Sequence, residues 1–158
     1  MTPEDLARIE EELSLTLPES LREIWQRPEF QGEPAGFQEF SGDADEIIGL
    51  TLELRRDGFY GVKWSEHHLA IGEDGAGNSY FTDLNLPMPA VFLAEHEQTT
   101  NKRRLITAET YETFATFLAY VLRLQSENDA AFEEEKSGDE SVVKKAVVET
   151  VVGFIRDY

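Results

Sequence analysis

Cysteine is missing from the 158 residues. That excludes a disulfide framework, a thiolate metal site and a cysteine nucleophile together. Positive charge is scarce: 14 Lys and Arg stand against 32 Asp and Glu, a net charge of −18. Such a field repels nucleic acid and anionic membranes, and it speeds encounter with a basic protein. The acidity is not confined to a tail. Residues 1–30, 31–60, 61–100 and 126–158 each carry −5, and only 101–125 is positive, at +2. Long apolar runs are also missing. No stretch reaches the roughly 18 apolar residues of a membrane helix. Residues 1–30 hold eight acids and three bases, without the apolar core of about 7–15 residues that a signal peptide needs. The expectation is a cytoplasmic protein with no membrane and no direct nucleic-acid partner.

Histidine is limited to His67, His68 and His96. Neighbours on a strand point to opposite faces, so His67 and His68 do not readily share a metal. His96 with one of them and Glu95 or Glu97 is the remaining candidate set, against the plainer reading of surface histidines. No Ser stands in a nucleophile elbow. With 32 carboxylates, close acid pairs arise by chance and say little about acid–base catalysis. The expectation is no enzyme, no cofactor and no metal.

What is present suits a folded domain: 41% hydrophobic and 11% aromatic residues, ordinary for a globular chain. Thr2-Pro3-Glu4-Asp5 is a helix start, and Leu6, Ile9 and Leu13 follow on one face. Pro18 opens a second short helix to about Arg27, with Leu21, Ile24 and Trp25 as its buried stripe. Residues 28–46 read as a connection rich in Gly and Pro, tacked down by Phe30, Phe37 and Phe40. From Glu46 the period changes to two: Ile48, Leu50, Leu52 and Leu54 alternate with polar residues and predict a strand. Asp57-Gly58 is a hairpin turn signal, and Tyr60, Val62 and Trp64 predict the next strand. Further strands are expected near 68–72, 79–84 and 90–95.

Lys102, Arg103 and Arg104 lie in the one basic patch, between Thr99 and Leu105, read as a solvated loop. Thr107 is expected to cap a long helix whose face runs through Tyr111, Phe114, Leu118, Val121 and Leu122. The predicted class is α+β: an antiparallel sheet of about five to six strands, packed with helices from the N- and C-terminal parts. The organisation is a domain over 1–125, an acidic linker or helical extension over 126–141, and an amphipathic, Val-rich helix over 142–158. That last segment is a candidate for self-association.

Between two of the predicted strands lies Gly72-Glu-Asp-Gly-Ala-Gly-Asn78. A phosphate-binding loop would need a Lys after the glycines and a following helix; neither is present. A dinucleotide fingerprint would need Gly where Tyr80 stands. A calcium loop from Asp74 would need a polar ligand at Ala76 and Gly at Ser79. A small-ligand role for this turn is the weakest of the functional readings. Gly72, Gly75, Gly77 and Asn78 instead read as residues of a tight structural turn.

Three features in order resemble the SUKH (Smi/Knr-like) superfamily. They are Leu17-Pro-Glu-Ser-Leu-Arg-Glu-Ile24 after an N-terminal helix, Trp64 with the Gly-rich hairpin 69–84, and Val91-Phe-Leu93 with the turn Glu95-His-Glu97 before a helix opening on Thr113-Phe-Ala-Thr-Phe-Leu118. The resemblance covers roughly residues 6–125. The sequence departs from the family pattern after the second helix, where Arg27-Pro-Glu-Phe-Gln-Gly32 stands in place of an Asn-Gly-Gly-like turn.

The superfamily includes bacterial immunity proteins that bind and neutralise a cognate toxin, and fungal cell-wall-assembly regulators. The resemblance therefore implies an antitoxin for a contact-delivered toxin, a basic nuclease by charge. An intracellular regulatory scaffold is the alternative. The acids on the expected sheet and its turns, Glu66, Glu73, Asp74, Asp83, Glu95 and Glu97, are the candidate partner contacts.

Overall fold

The computed structural model describes residues 1–28, 38–88 and 90–137, with side chains described as far as 129. The chain divides into two compact units, 1–114 and 115–158.

In the first unit, helix α1 (Pro3–Leu13) starts at a full capping box: the Thr2 hydroxyl accepts from Asp5 N–H, and the Asp5 carboxylate accepts from Thr2 N–H. Ser14, at φ 52, closes it. Glu10 then reaches forward. It accepts from Leu17 N–H at 2.7 Å and pairs with Arg22, which joins α1 to helix α2 (Glu19–Trp25). Leu21, Ile24 and Trp25 are buried, as their spacing predicts. Trp25 stacks on Phe40 with centroids 5.5 Å apart, and its Nε1 donates to the Ser41 carbonyl at 2.8 Å. Phe30 and Phe37 lie outside the described residues.

The segment predicted as a strand from Glu46 is a helix, α3 (Ala44–Asp57). Its buried residues are Ala44, Ile47, Ile48, Thr51 and Leu54, a spacing of three and four. Leu52, which the alternation would bury, is 42% exposed. Asp43 decides the matter locally: its carboxylate accepts from Asp45 and Glu46 N–H and caps the first turn. Asp57-Gly58 is accordingly a helix end, with Gly58 at φ 77. The strand predicted over 60–64 is instead a tight turn. Phe59 and Val62 exchange two backbone hydrogen bonds, of 2.8 and 3.0 Å, around Tyr60 and Gly61, both at positive φ.

Among the described residues the sheet has four antiparallel strands in sequence order: β1 (His68–Glu73), β2 (Ser79–Asp83), β3 (Val91–Ala94) and β4 (Thr107–Tyr111). The α+β class and the meander are as expected, with a strand count near the predicted range. Helix α4 (His96–Lys102) takes most of the segment read as a basic loop, and Arg103 ends it at φ 51. The predicted cap at Thr107 is overturned: residues 107–111 pair with β3, and the long helix α5 (Phe114–Ser137) begins three residues later. Thr107, Thr110 and Tyr111 favour extended backbone, and the edge of β3 offers them partners.

Helix α3 packs on β1 and on α1. Leu54, Phe59, Trp64, Ala70, Phe81 and Ala94 form a core cluster on the sheet. The outer edge of β1 is occupied. Glu73 N–H donates to the Gln38 carbonyl, Ser41 N–H to the Ile71 carbonyl, and Ala70 N–H to the Thr51 hydroxyl. This close approach explains Gly72: a Cβ there would run into the Glu39 carbonyl.

In the second unit, Phe117, Leu118 and Val121 are buried along one stripe of α5, and Arg123 pairs with Glu127 one turn on. The segment 142–158 lies outside the described residues.

Candidate partner-binding surface

The Gly-rich turn joins β1 to β2, and its polar groups satisfy one another. Asp74 Oδ1 accepts from Ala76 N–H at 2.8 Å and from Asn78 N–H at 3.1 Å; Oδ2 accepts from the Asn78 side-chain amide at 2.6 Å. The Asn78 side-chain oxygen Oδ1 accepts from His96 N–H at 2.9 Å and lies 2.8 Å from His96 Nδ1. That geometry puts a proton on Nδ1. One carboxylate thus closes the turn, and one carboxamide ties the turn to the start of α4. An anion cradle needs free backbone donors; Asp74 already holds those of Ala76 and Asn78.

Gly75 and Gly77 sit at φ 72 and 94, where side chains are strained. A Cβ on Gly77 would lie 2.7 Å from the Tyr60 hydroxyl. The missing side chain therefore lets Tyr60 lie across the turn, with its ring 5.2 Å from His96. Tyr60 itself is at φ 47 and remains 51% exposed.

The antiparallel register sorts the six candidate acids. Glu73, Asp74 and Glu95 gather at the turn end of the sheet, since Ser79 pairs with both Glu73 and Ala94, and exposed Glu97 follows in the first turn of α4. Glu66 and Asp83 belong to the opposite end, where His68 pairs with Asp83. Glu95 caps α4, accepting from Glu97 and Gln98 N–H. Asp83 accepts from Asn85 N–H at 3.0 Å and lies 3.8 Å from His68 Nε2. His68 is wedged between Trp64 and Phe81, and burial holds its imidazole below the ordinary value against the pull of Asp83. Glu66 and Glu73 are exposed.

Beside the turn end opens a cleft of about 280 Å³. Its apolar wall is Leu50 and Leu54 of α3 together with Phe59; Tyr60 stands on its rim; Glu53 and Glu73 supply carboxylates. Glu73 is exposed as a residue, but its carboxyl sits partly desolvated against the cleft and is pushed above the usual range, by that desolvation first and then by Glu46, Glu53 and Asp74. Arg56, within the field of Glu53, is held by Asp57 through two hydrogen bonds of 2.8 and 2.5 Å.

Glu53, Glu46 and Tyr60 were not among the residues predicted from sequence. Reading 46–54 as a strand hid the fact that Glu46 and Glu53, two turns apart, share a helix face. The signal was Asp43 followed three residues later by Glu46, a capping pattern. Among the described residues no group of three or more His, Asp or Glu is placed to hold a metal ion. No described helix is long and apolar enough to cross a membrane.

No curated protein and no solved structure matches the chain. A family model does, over residues 1–120, a span that takes in the helices α1 to α4, the whole sheet and the cleft beside its Gly-rich turn. The chain belongs to the SMI1/KNR4 family (SUKH-1).

Proposed function

We propose that this protein is an immunity protein that binds a cognate toxin in the cytoplasm of the producing cell and neutralises it by occlusion. The observation that carries the reading is the accumulation of acid at the turn end of the sheet. There Glu46, Glu53 and Asp74 add to partial desolvation in pushing the Glu73 carboxyl above its usual range, beside an open cleft that Glu53 and Glu73 line. Asp74 closes the turn and Glu46 accepts from the Ser41 hydroxyl, but the fold gives the exposed carboxylates of Glu53 and Glu73 no such task among the described residues. A basic partner would relieve the repulsion, and nucleases are commonly basic because they bind phosphates. The net charge of −18 adds long-range steering toward such a partner.

The test is co-expression with each toxin encoded beside the gene. One of them should be lethal alone and tolerated with this protein, and the purified pair should form a salt-sensitive complex. If no neighbouring gene product is toxic and rescued, the reading fails. The alternative, a regulatory scaffold, predicts several weak partners and no rescue.

A further inference from the structure

The cleft beside the turn has a mixed lining that a purely electrostatic surface does not need. Leu50, Leu54 and Phe59 give it an apolar wall, Tyr60 offers an exposed ring at the rim, and Glu53 and Glu73 face the same space. At about 280 Å³ it lies at the lower limit of small-molecule pockets, roughly 300–1,000 Å³, and suits one long side chain.

Tyr60 is held there at a cost. It is a non-glycine residue at φ 47, a conformation that costs about 1 kcal/mol or more. Gly77 gives up its side chain to make room for the Tyr60 hydroxyl. Two local irregularities, in contact with each other, thus keep an aromatic ring at the rim.

We propose that the cleft is the anchor site for a single arginine side chain of the partner protein. The arginine methylenes would lie on Leu50 and Leu54 and the guanidinium between Glu53 and Glu73, with Tyr60 at the edge of its plane. An apolar stem with a planar, permanently charged head matches such a lining better than the compact, strongly hydrated ammonium of lysine. Carboxylates recognise the guanidinium fork through paired hydrogen bonds, and an aromatic ring adds a cation–π contact. Among the described residues, the charged groups that act on Glu73 are other carboxylates, and Arg56, the cation in the field of Glu53, has its hydrogen bonds with Asp57. This deepens the immunity reading, since it rests on a basic partner and names the residue that enters.

The probe is Nα-acetyl-arginine amide, titrated into the full chain and followed by amide chemical shifts. The matched controls are Nα-acetyl-citrulline amide, which is neutral and nearly isosteric, and Nα-acetyl-lysine amide. Saturable shifts are expected at Phe59, Tyr60, Gly77 and Ser79 with the arginine probe. Binding of the lysine probe should be at least about threefold weaker, and the citrulline probe should cause none of these shifts. The Glu53→Gln, Glu73→Gln double variant should weaken the arginine probe about tenfold or more. Because both positions are exposed, its fold can be checked from the undisturbed remainder of the spectrum.

Equal effects from arginine and citrulline, a lysine response equal to that of arginine, or indifference to the double variant would each overturn the assignment. The assay needs no toxin. A rescue phenotype without arginine binding would sink the anchor and leave the immunity reading; arginine binding without rescue would do the reverse.

Discussion

Glu10 and Glu73 are the same residue in opposite circumstances. At the α1–α2 junction, Glu10 is partly desolvated, which alone would raise its pKa. The Leu17 N–H and Arg22 outweigh that, and the carboxyl ends below its usual value. At the turn end of the sheet, Glu73 has partial desolvation and three neighbouring carboxylates acting together, and it ends above. The first region is acid used to build; the second is acid held against its own preference. In a chain of net charge −18 the number of carboxylates carries little information. What distinguishes them is whether the fold supplies a counter-charge.

The largest effect should come from the scaffold under the second region. Gly72→Val drives a side chain into the backbone of Gln38 and Glu39. It should cost about 3 kcal/mol or more, read by chemical denaturation; a loss under about 1 kcal/mol would show that the 38–41 segment yields easily. Next is Glu10→Ala, which leaves Leu17 N–H and Arg22 without their acceptor and should cost about 1–3 kcal/mol. A neutral result would remove the structural half of the contrast. Asp74→Ala strips the turn of its internal acceptor and should cost about 1 kcal/mol, which separates Asp74 from its neighbour. Glu73→Gln is the smallest and has the opposite sign: a gain of a few tenths of a kcal/mol at neutral pH, detectable as a raised melting temperature. A loss there would break the comparison.

The pH dependence sharpens it. The folded pKa of Glu10 is depressed, so its contribution is complete above the ordinary glutamate value and is lost as pH falls through the lower, folded value. The folded pKa of Glu73 is raised, so its cost is complete above that raised value and is relieved as pH falls from there toward the ordinary one. The deficit of Glu10→Ala and the gain of Glu73→Gln should therefore both shrink on acidification, the second at higher pH. Melting curves of the three proteins between neutral and acid pH measure this directly.

The legible parts of the sequence were those where local chemistry and tertiary need agree. Thr2-Pro3 with Leu6, Ile9 and Leu13 can be read only as a capped amphipathic helix, and the glycines between two β-prone runs can be read only as a hairpin. Family membership followed from the same stretches. Two competing signals hid the rest. In 44–57 Ile48, Leu50, Leu52 and Leu54 alternate by accident, while Ile47 and Thr51, which the alternation ignores, are buried. At 107–111 the helical spacing of Tyr111 with the following aromatics masked a strand whose pairing depends on β3 being there. The candidate site suffered in proportion. Glu73 and the turn are legible, whereas the sequence pattern places Glu53 on a strand and Tyr60 on the next one. Nothing in the local sequence around Tyr60 announces that its ring crosses Gly77.

The central claim is that uncompensated acid at the cleft is there for a basic partner. Calorimetric titration of the proposed toxin partner, once rescue identifies it, against the native chain and against the Glu53→Gln, Glu73→Gln variant, tests it most directly. The account predicts that the variant folds normally and binds at least about tenfold more weakly, a loss of about 1.4 kcal/mol or more. Equal affinity for the two proteins would contradict it.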